Sequence, residues 1–345
     1  MAKVLTFGCR INSFESEIFK EKLAARDDII VVNTCAVTAE AERQCRQEIR
    51  KQKKENPNAK IVVTGCAAQI NPQKFADMEE VDLILGNKEK IKIEEYLSEE
   101  IFEKSIVGDI FSYDKYDDYI ITGFEGRQKA FVQIQQGCNH RCTYCIVPFA
   151  RGNNRCVAKE HIVKQINELT AKGFKEICLT GVDICSYEPS LADLVRYIFE
   201  NTSDGYVLTF GSLDPAKLDD DFIRLAADTR IKPYFHMSIQ SGDNMILKRM
   251  KRRHSREDVI DVCNKIRQSR SDAIFGADFI CGFPTETEEN FQNTCRLVDE
   301  AGITKLHVFP YSQRPGTTAA LMPQIDMNIR RERAKILREK GECDD

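Results

Sequence analysis

Ala130-Phe131-Val132-Gln133-Ile134-Gln135-Gln136-Gly137-Cys138-Asn139-His140-Arg141-Cys142-Thr143-Tyr144-Cys145 joins a strand pattern to a metal-ligand pattern. The alternation over residues 130–135 predicts a β-strand, and the loop directly after it carries three thiols at C-x3-C-x2-C spacing. Three thiolates hold three irons of a 4Fe–4S cluster and leave the fourth iron free to chelate something else. The other reading is a zinc site completed by Cys156 or His161, since zinc also takes thiolate and imidazole. A lone triplet is unlike the paired C-x2-C arrangement of structural zinc sites, which favours the cluster.

Beyond this loop the chain alternates strand and helix signals. Candidate strands lie at 130–135, 175–180, 206–211, 234–239, 274–280 and 304–310, with amphipathic helices at 158–172, 190–201, 217–228, 255–269 and 286–300. The series predicts an α/β fold, an incomplete parallel (β/α)6 barrel whose active face lies at the carboxyl ends of the strands. Those ends carry Thr180-Gly181-Val182-Asp183, Gly211-Ser212-Leu213-Asp214-Pro215, Gln240-Ser241-Gly242 and Gly282-Phe283-Pro284-Thr285-Glu286-Thr287. Glycine admits close approach of backbone to a ligand and polar side chains supply hydrogen bonds. Tyr144, Gly181, Asp183, Ser212, Asp214, Gln240 and Gly282 are accordingly candidates for contacting a cofactor; helix capping is the alternative for the two aspartates.

Before the loop, three β-branched runs end alike: Val4-Leu5-Thr6-Phe7-Gly8-Cys9, Ile29-Ile30-Val31-Val32-Asn33-Thr34-Cys35 and Ile61-Val62-Val63-Thr64-Gly65-Cys66. Helix-like stretches at 15–25 and 39–54 separate them, and residues 81–85 offer a fourth strand. In a parallel sheet all carboxyl ends share one edge, so cysteines about 25 to 30 residues apart in sequence would meet in space. Any one of them could instead be a small buried residue; three in register argue for a site.

The 345 residues exceed one usual core, and a tyrosine- and aspartate-rich stretch at 112–119 marks a linker, giving expected domains at 1–120 and 124–345. No apolar run approaches a membrane span and the first residues lack signal-peptide architecture, which predicts a cytoplasmic protein with no membrane partner. There the 14 cysteines serve metals or the core rather than disulfides. With a net charge of −4, any contact with nucleic acid needs a local basic patch.

With both triplets located, the chain resembles the radical S-adenosylmethionine methylthiotransferases over nearly its whole length. The matching pieces are Phe7-Gly8-Cys9, Asn33-Thr34-Cys35, Thr64-Gly65-Cys66, the run from Gly137 through Gly152, and His236-Met237-Ser238-Ile239-Gln240-Ser241-Gly242. The resemblance implies two 4Fe–4S clusters, one held by Cys138, Cys142 and Cys145 and one by Cys9, Cys35 and Cys66. It implies that the first grips S-adenosylmethionine and splits off a deoxyadenosyl radical, and that the second carries the sulfur by which C–H becomes C–S–CH3. Residues 150–152, 179–183, 248–254 and 310–317 look most like the tRNA threonylcarbamoyladenosine methylthiotransferases, which act on the adenosine next to the anticodon. Relatives acting on isopentenyladenosine in tRNA or on an aspartate of a ribosomal protein are the alternatives, as is a non-catalytic iron–sulfur or tRNA-binding module. The implied partners are tRNA, an electron donor such as a flavodoxin or ferredoxin, and a sulfur donor the sequence does not identify. Family members usually continue into a small carboxyl-terminal RNA-binding β-barrel, which this sequence lacks, and the segment between Cys9 and Cys35 is short for the family.

Substrate contacts are expected of Arg151 and Arg155, just past the cysteine loop, with pairing to carboxylates as the alternative. Lys248, Arg249, Lys251, Arg252 and Arg253 form the most basic run, read either as phosphate contacts or as a solvated helix end.

Overall fold

Val and Ile pack well on a pleated surface covered on both faces, and the β-branched runs of the first hundred residues form strands accordingly. In this computed structural model, which describes residues 1–98, 103–114 and 119–341, Lys3–Thr6, Ile29–Thr34, Lys60–Gly65, Leu83–Leu85 and Ser105–Ile106 make a five-stranded parallel sheet in that order. Register sets Thr6 beside Asn33 and Thr34 beside Gly65, so Cys9, Cys35 and Cys66 follow strands that end at one edge. Alternation sends Ile30 and Val32 to one face, against Ile49 of the helix Ala39–Glu55. Ile29 and Val31 face the other way, against Phe19 of the helix Arg10–Lys22. The two-residue strand Ser105–Ile106 lies in a stretch whose mixed sequence gave no strand signal, being too short for a periodicity to show. Residues 115–118 of the expected linker and Cys343 lie outside the described residues.

The chain divides into Met1–His140 with Ile146–Phe174, and Arg141–Cys145 with Lys175–Asp345. The sequence places the domain boundary earlier, between 120 and 124. The strand Lys129–Gln133 and the helix Lys159–Ala171 group with the first unit, where the side chain of Gln165 both accepts from Ile121 N and donates to Ile121 O at 2.8 Å.

In the second unit, Glu176–Thr180 pairs in parallel with Val207–Phe210, and Tyr234–Gln240, Ile274–Cys281 and Ile303–Pro310 form a parallel three-stranded sheet. Leu213 links the two sheets: its N–H donates to His236 O and its carbonyl accepts from Ser238 N, both at 2.7 Å. Helices Leu191–Asn201, Asp220–Leu225, Arg256–Ser269 and Glu288–Glu300 alternate with these strands, as expected for the arc of an incomplete parallel barrel. The helix Met327–Glu339 covers the last strand, with Arg338 donating to Val308 O at 2.6 Å. Among the described residues no helix is long and apolar enough to cross a membrane.

The cysteine edge of the first sheet depends on Gly65. Its φ is +93°, and a Cβ there would lie 2.5 Å from Thr34 O, so the next strand has no room for a side chain. Gly65→Ala is expected to cost at least about 2 kcal/mol in urea unfolding of the chelator-treated protein. A cost below about 0.5 kcal/mol would show that this edge is not held closely.

Candidate iron–sulfur sites

The helix Arg10–Lys22 starts immediately after Cys9 and turns Asn12, Glu15 and Ser16 inward together with Ile11, Phe14, Ile18 and Phe19. A carboxylate on this buried stripe needs partners, because an unpaired buried charge is severely disfavoured. It has two. Arg151 Nη1 lies 2.6 Å from Glu15 Oε1, and Lys90 Nζ lies 2.6 Å from Glu15 Oε2, with all three side chains at most 2% exposed. Arg151 also donates to Asn12 Oδ1 at 2.6 Å and, through Nε, to Cys66 Sγ at 3.3 Å. Asn12 in turn donates to Phe7 O and Thr34 O, tying the network to the segments bearing Cys9 and Cys35.

Burial would raise the Glu15 carboxyl, but the charges of Arg151 and Lys90 outweigh it and hold it at about 2. Burial pushes Lys90 down to about 8 despite the pull of Glu15. Two cations against one carboxylate leave one net positive charge beside Cys66. Burial, helped by Cys66, pushes the Cys35 thiol up to about 12, so in the metal-free protein it is protonated and metal binding has to displace that proton. Cys35 and Cys66 are buried and Cys9 is exposed, leaving the thiol set an open side. Three sulfur donors backed by a buried excess cation suit an anionic, thiolate-bound iron–sulfur cluster.

The second triplet is positioned by its backbone. In the first unit, Cys138 N donates to Gly152 O at 3.0 Å. In the second, Thr143 N donates to Met250 O at 3.0 Å, Thr143 Oγ1 to Arg249 O at 2.8 Å, and Ala319 N to Thr143 O at 2.8 Å. Tyr144 packs against Ile246, Met250, Phe283, Tyr311 and Ala319. Arg252 Nη1 reaches Cys142 Sγ at 3.6 Å while its Nη2 donates to Ser238 O at 2.6 Å. Three thiols at this spacing along the chain fit an iron–sulfur cluster. His161, weighed as a zinc ligand, makes its ring-nitrogen contact at 3.1 Å to Tyr119 O.

Several expected roles change. Arg151 and Arg155 are buried rather than presented to a substrate. Arg155 is spent on Gln136 Oε1, Arg151 O, Asn153 O and Tyr113 O, and its guanidinium lies 4.5 Å from the centre of the Tyr113 ring. The basic run also splits. Lys248, Arg249 and Lys251 are exposed, whereas Arg252 and Arg253 turn inward. Arg253 pairs with Asp214 Oδ2 at 2.5 Å and Asp183 Oδ2 at 2.9 Å, and Arg252 lies 3.4 Å from the same Asp214 oxygen. Burial opposes the charge on Asp214, but His254, 3.5 Å away, and the two guanidiniums hold it well below the usual carboxylate range. Asp183 and Asp214 are therefore already engaged by arginine, which replaces the free cofactor acceptors expected of them.

The other rim residues stand at strand ends. Gly181 follows Thr180, Ser212 donates to Asp278 Oδ2 at 3.2 Å, and Gln240 and Gly282 have φ of +77° and +70°. Gly282 N donates to Glu286 Oε1, whose carboxyl burial raises to about 7 although Arg333 sits 2.8 Å away. Sequence reasoning missed Glu15 and Lys90 altogether. The available signal was a carboxylate four residues from both Ile11 and Phe19, on the apolar stripe of its helix.

Residues 132–298 match the radical SAM superfamily, and residues 2–86 match a family described as uncharacterized protein family UPF0004. The chain is 47% identical, over 98% of its length, to the threonylcarbamoyladenosine tRNA methylthiotransferase MtaB of Rickettsia prowazekii, spanning 82% of that protein. It is 33% identical over 98% of its length to a tRNA-2-methylthio-N(6)-dimethylallyladenosine synthase of Staphylococcus aureus, spanning 70% of it. In fold it is similar to the radical S-adenosylmethionine methyltransferase TsrM of Kitasatospora setae, with a TM-score of 0.68 over 90% of this chain and 69% of that one, at 14% identity.

The buried ion triad generates a pH-dependent prediction. Glu15→Gln leaves Arg151 and Lys90 without a counter-charge and is expected to destabilise the protein at pH 7 by about 3–5 kcal/mol. Because the folded-state pKa of Glu15 is lowered from 4.5 to about 2, its stabilisation is complete above pH 4.5 and is lost as pH falls through that interval. The gap between parent and variant should therefore narrow by about 2 kcal/mol at pH 3 in urea unfolding. A gap independent of pH would show that Glu15 acts by packing alone.

Proposed function

The chain belongs to the radical S-adenosylmethionine methylthiotransferase family, and on that premise we propose that it converts threonylcarbamoyladenosine beside the tRNA anticodon to its 2-methylthio derivative. The observation carrying this reading is the pair of thiol triplets, each one ligand short of closing a 4Fe–4S cluster, in a chain 47% identical to a threonylcarbamoyladenosine tRNA methylthiotransferase. The lower identity, 33%, to the dimethylallyladenosine synthase favours threonylcarbamoyladenosine over that substrate.

Cys138, Cys142 and Cys145 would hold one cluster and Cys9, Cys35 and Cys66 the other. When bound, the first supplies the electron that cleaves S-adenosylmethionine reductively and the second carries the sulfur for the methylthio group. The chain's own residues prepare these sites. Arg151 donates to Cys66 Sγ, and Arg252 reaches Cys142 Sγ. Thr143 is anchored through both backbone and hydroxyl, fixing the loop between Cys142 and Cys145. Tyr144, Gly181, Ser212, Gln240 and Gly282 are left to line the cofactor, with the backbone at Gln240 and Gly282 turned by positive φ. Lys248, Arg249 and Lys251 offer exposed charge to tRNA phosphates. The reading places the protein in the cytoplasm with a flavodoxin- or ferredoxin-like electron donor.

Anaerobic reconstitution should give about eight irons per chain, and about four in either Cys142→Ala or Cys35→Ala. Cys142→Ala should make no deoxyadenosine from S-adenosylmethionine. Cys35→Ala should still make it but yield no methylthio nucleoside; product at the parent level from this variant would remove the second cluster from the reaction.

For the basic patch, replacing Lys248, Arg249 and Lys251 by Gln should weaken binding to all tRNA sequences alike and flatten the log–log salt slope by roughly 2 to 3. An unchanged slope would put the RNA surface elsewhere.

A further inference from the structure

Three neighbouring parallel strands of the second unit each carry one metal-ligating side chain along their length: His236 in Tyr234–Gln240, Asp278 in Ile274–Cys281 and His307 in Ile303–Pro310. Register sets Asp278 directly beside His307, and His236 beside Gly276. His236 Nε2 lies 3.1 Å from Asp278 Oδ1, and His307 Nδ1 lies 3.4 Å from the same oxygen. All three donor atoms fall within 4.8 Å of one another. Donors about 2.0–2.2 Å from one small divalent ion stand roughly 3 to 3.5 Å from each other, so two of the three separations already suit a shared ion. His307, whose side chain is 39% exposed, would turn to close the third when an ion binds.

Direction distinguishes a chelate from a plain ion pair. Although close to the carboxylate, Nε2 of buried His236 makes no hydrogen bond among the described residues. A hydrogen bond requires the N–H to point at the acceptor, whereas ligands of one ion point their lone pairs at a third position between them. The surrounding contacts prepare this state. Tyr234 Oη lies 3.1 Å from His236 Nδ1, and by accepting a hydrogen bond from Nδ1–H it would leave the Nε2 lone pair for a metal. Ser212 occupies Oδ2 of Asp278 and leaves Oδ1 for the same ion. Gly276 makes this possible: a Cβ there would collide with Tyr234 Oη and lie 2.9 Å from His236 Nδ1.

We infer that His236, Asp278 and His307 bind one divalent first-row transition-metal ion, at a site distinct from the cysteine triplets. Two imidazoles and one carboxylate suit Mn2+, Fe2+, Co2+ or Zn2+ and leave coordination positions for water or an oxygen ligand of the substrate. No thiol takes part, so this site and the iron–sulfur sites select by different ligand chemistry.

Mn2+ is the appropriate probe because it competes poorly for thiolates. Protein loaded with its clusters in their oxidised, diamagnetic state is titrated while the electron paramagnetic resonance of free Mn2+ is followed. One equivalent per chain should disappear from the free signal. Asp278→Asn, close in shape, and His307→Ala, at a half-exposed position, should each abolish that uptake while thermal unfolding by circular dichroism shows a folded protein. Tyr234→Phe should weaken it about tenfold, as loss of an outer hydrogen-bond partner does. A free Mn2+ signal undiminished by the parent protein, or uptake by folded Asp278→Asn and His307→Ala equal to the parent's, would overturn the site and leave the triad as a carboxylate–histidine ion pair.

Discussion

The buried triad of Glu15, Arg151 and Lys90 ties together three separate stretches of the first unit. Its members come from the first helix, from the segment after the fourth strand and from the end of the cysteine loop. Removing three charges from water costs several kcal/mol for each ion, and only their mutual pairing with further hydrogen bonds offsets that cost. Asn12 and Asn87 complete those bonds, Asn12 to Arg151 and Asn87 to Lys90. A hydrophobic cluster of similar volume would hold the same segments together at less expense. What it could not provide is a charged N–H donor against Cys66 Sγ.

The second unit repeats this logic on another scaffold. Arg252 reaches toward Cys142 from the basic run, and Asp214 balances it together with Arg253. In both units a guanidinium backs a cysteine sulfur and a buried carboxylate pairs with the guanidinium. Arginine suits the task because it stays charged when buried and its rigid fork of donors can satisfy sulfur, carboxylate and carbonyl at once.

The sequence was most informative where chemistry and periodicity coincide. Cysteines after β-branched runs disclosed the thiol edge, since strand register converts spacing along the chain into proximity. The barrel strands from 176 onward lie within a residue or two of expectation because their apolar runs are bounded by glycine and polar turns. Pairing to a carboxylate was one reading for Arg151, but the partners of the arginines were not legible. Arg151 and Glu15 are 136 positions apart, and Arg253 and Asp214 are 39 apart, with nothing local to mark the pairing. A run of five basic residues reads as a surface stripe until the fold shows that two of them point inward. His236, Asp278 and His307 were hidden similarly, each sitting in a strand whose apolar neighbours set the pattern.

Nucleoside mass spectrometry of tRNA from cells with and without this gene tests the assigned chemistry most directly. Loss of the gene should remove 2-methylthio-threonylcarbamoyladenosine and leave unmodified threonylcarbamoyladenosine in its place, with restoration by the parent gene but not by Cys35→Ala. An unchanged level of the methylthio nucleoside in a strain lacking any second copy, or a loss confined to the methylthio derivative of an isopentenyl-type adenosine, would contradict it.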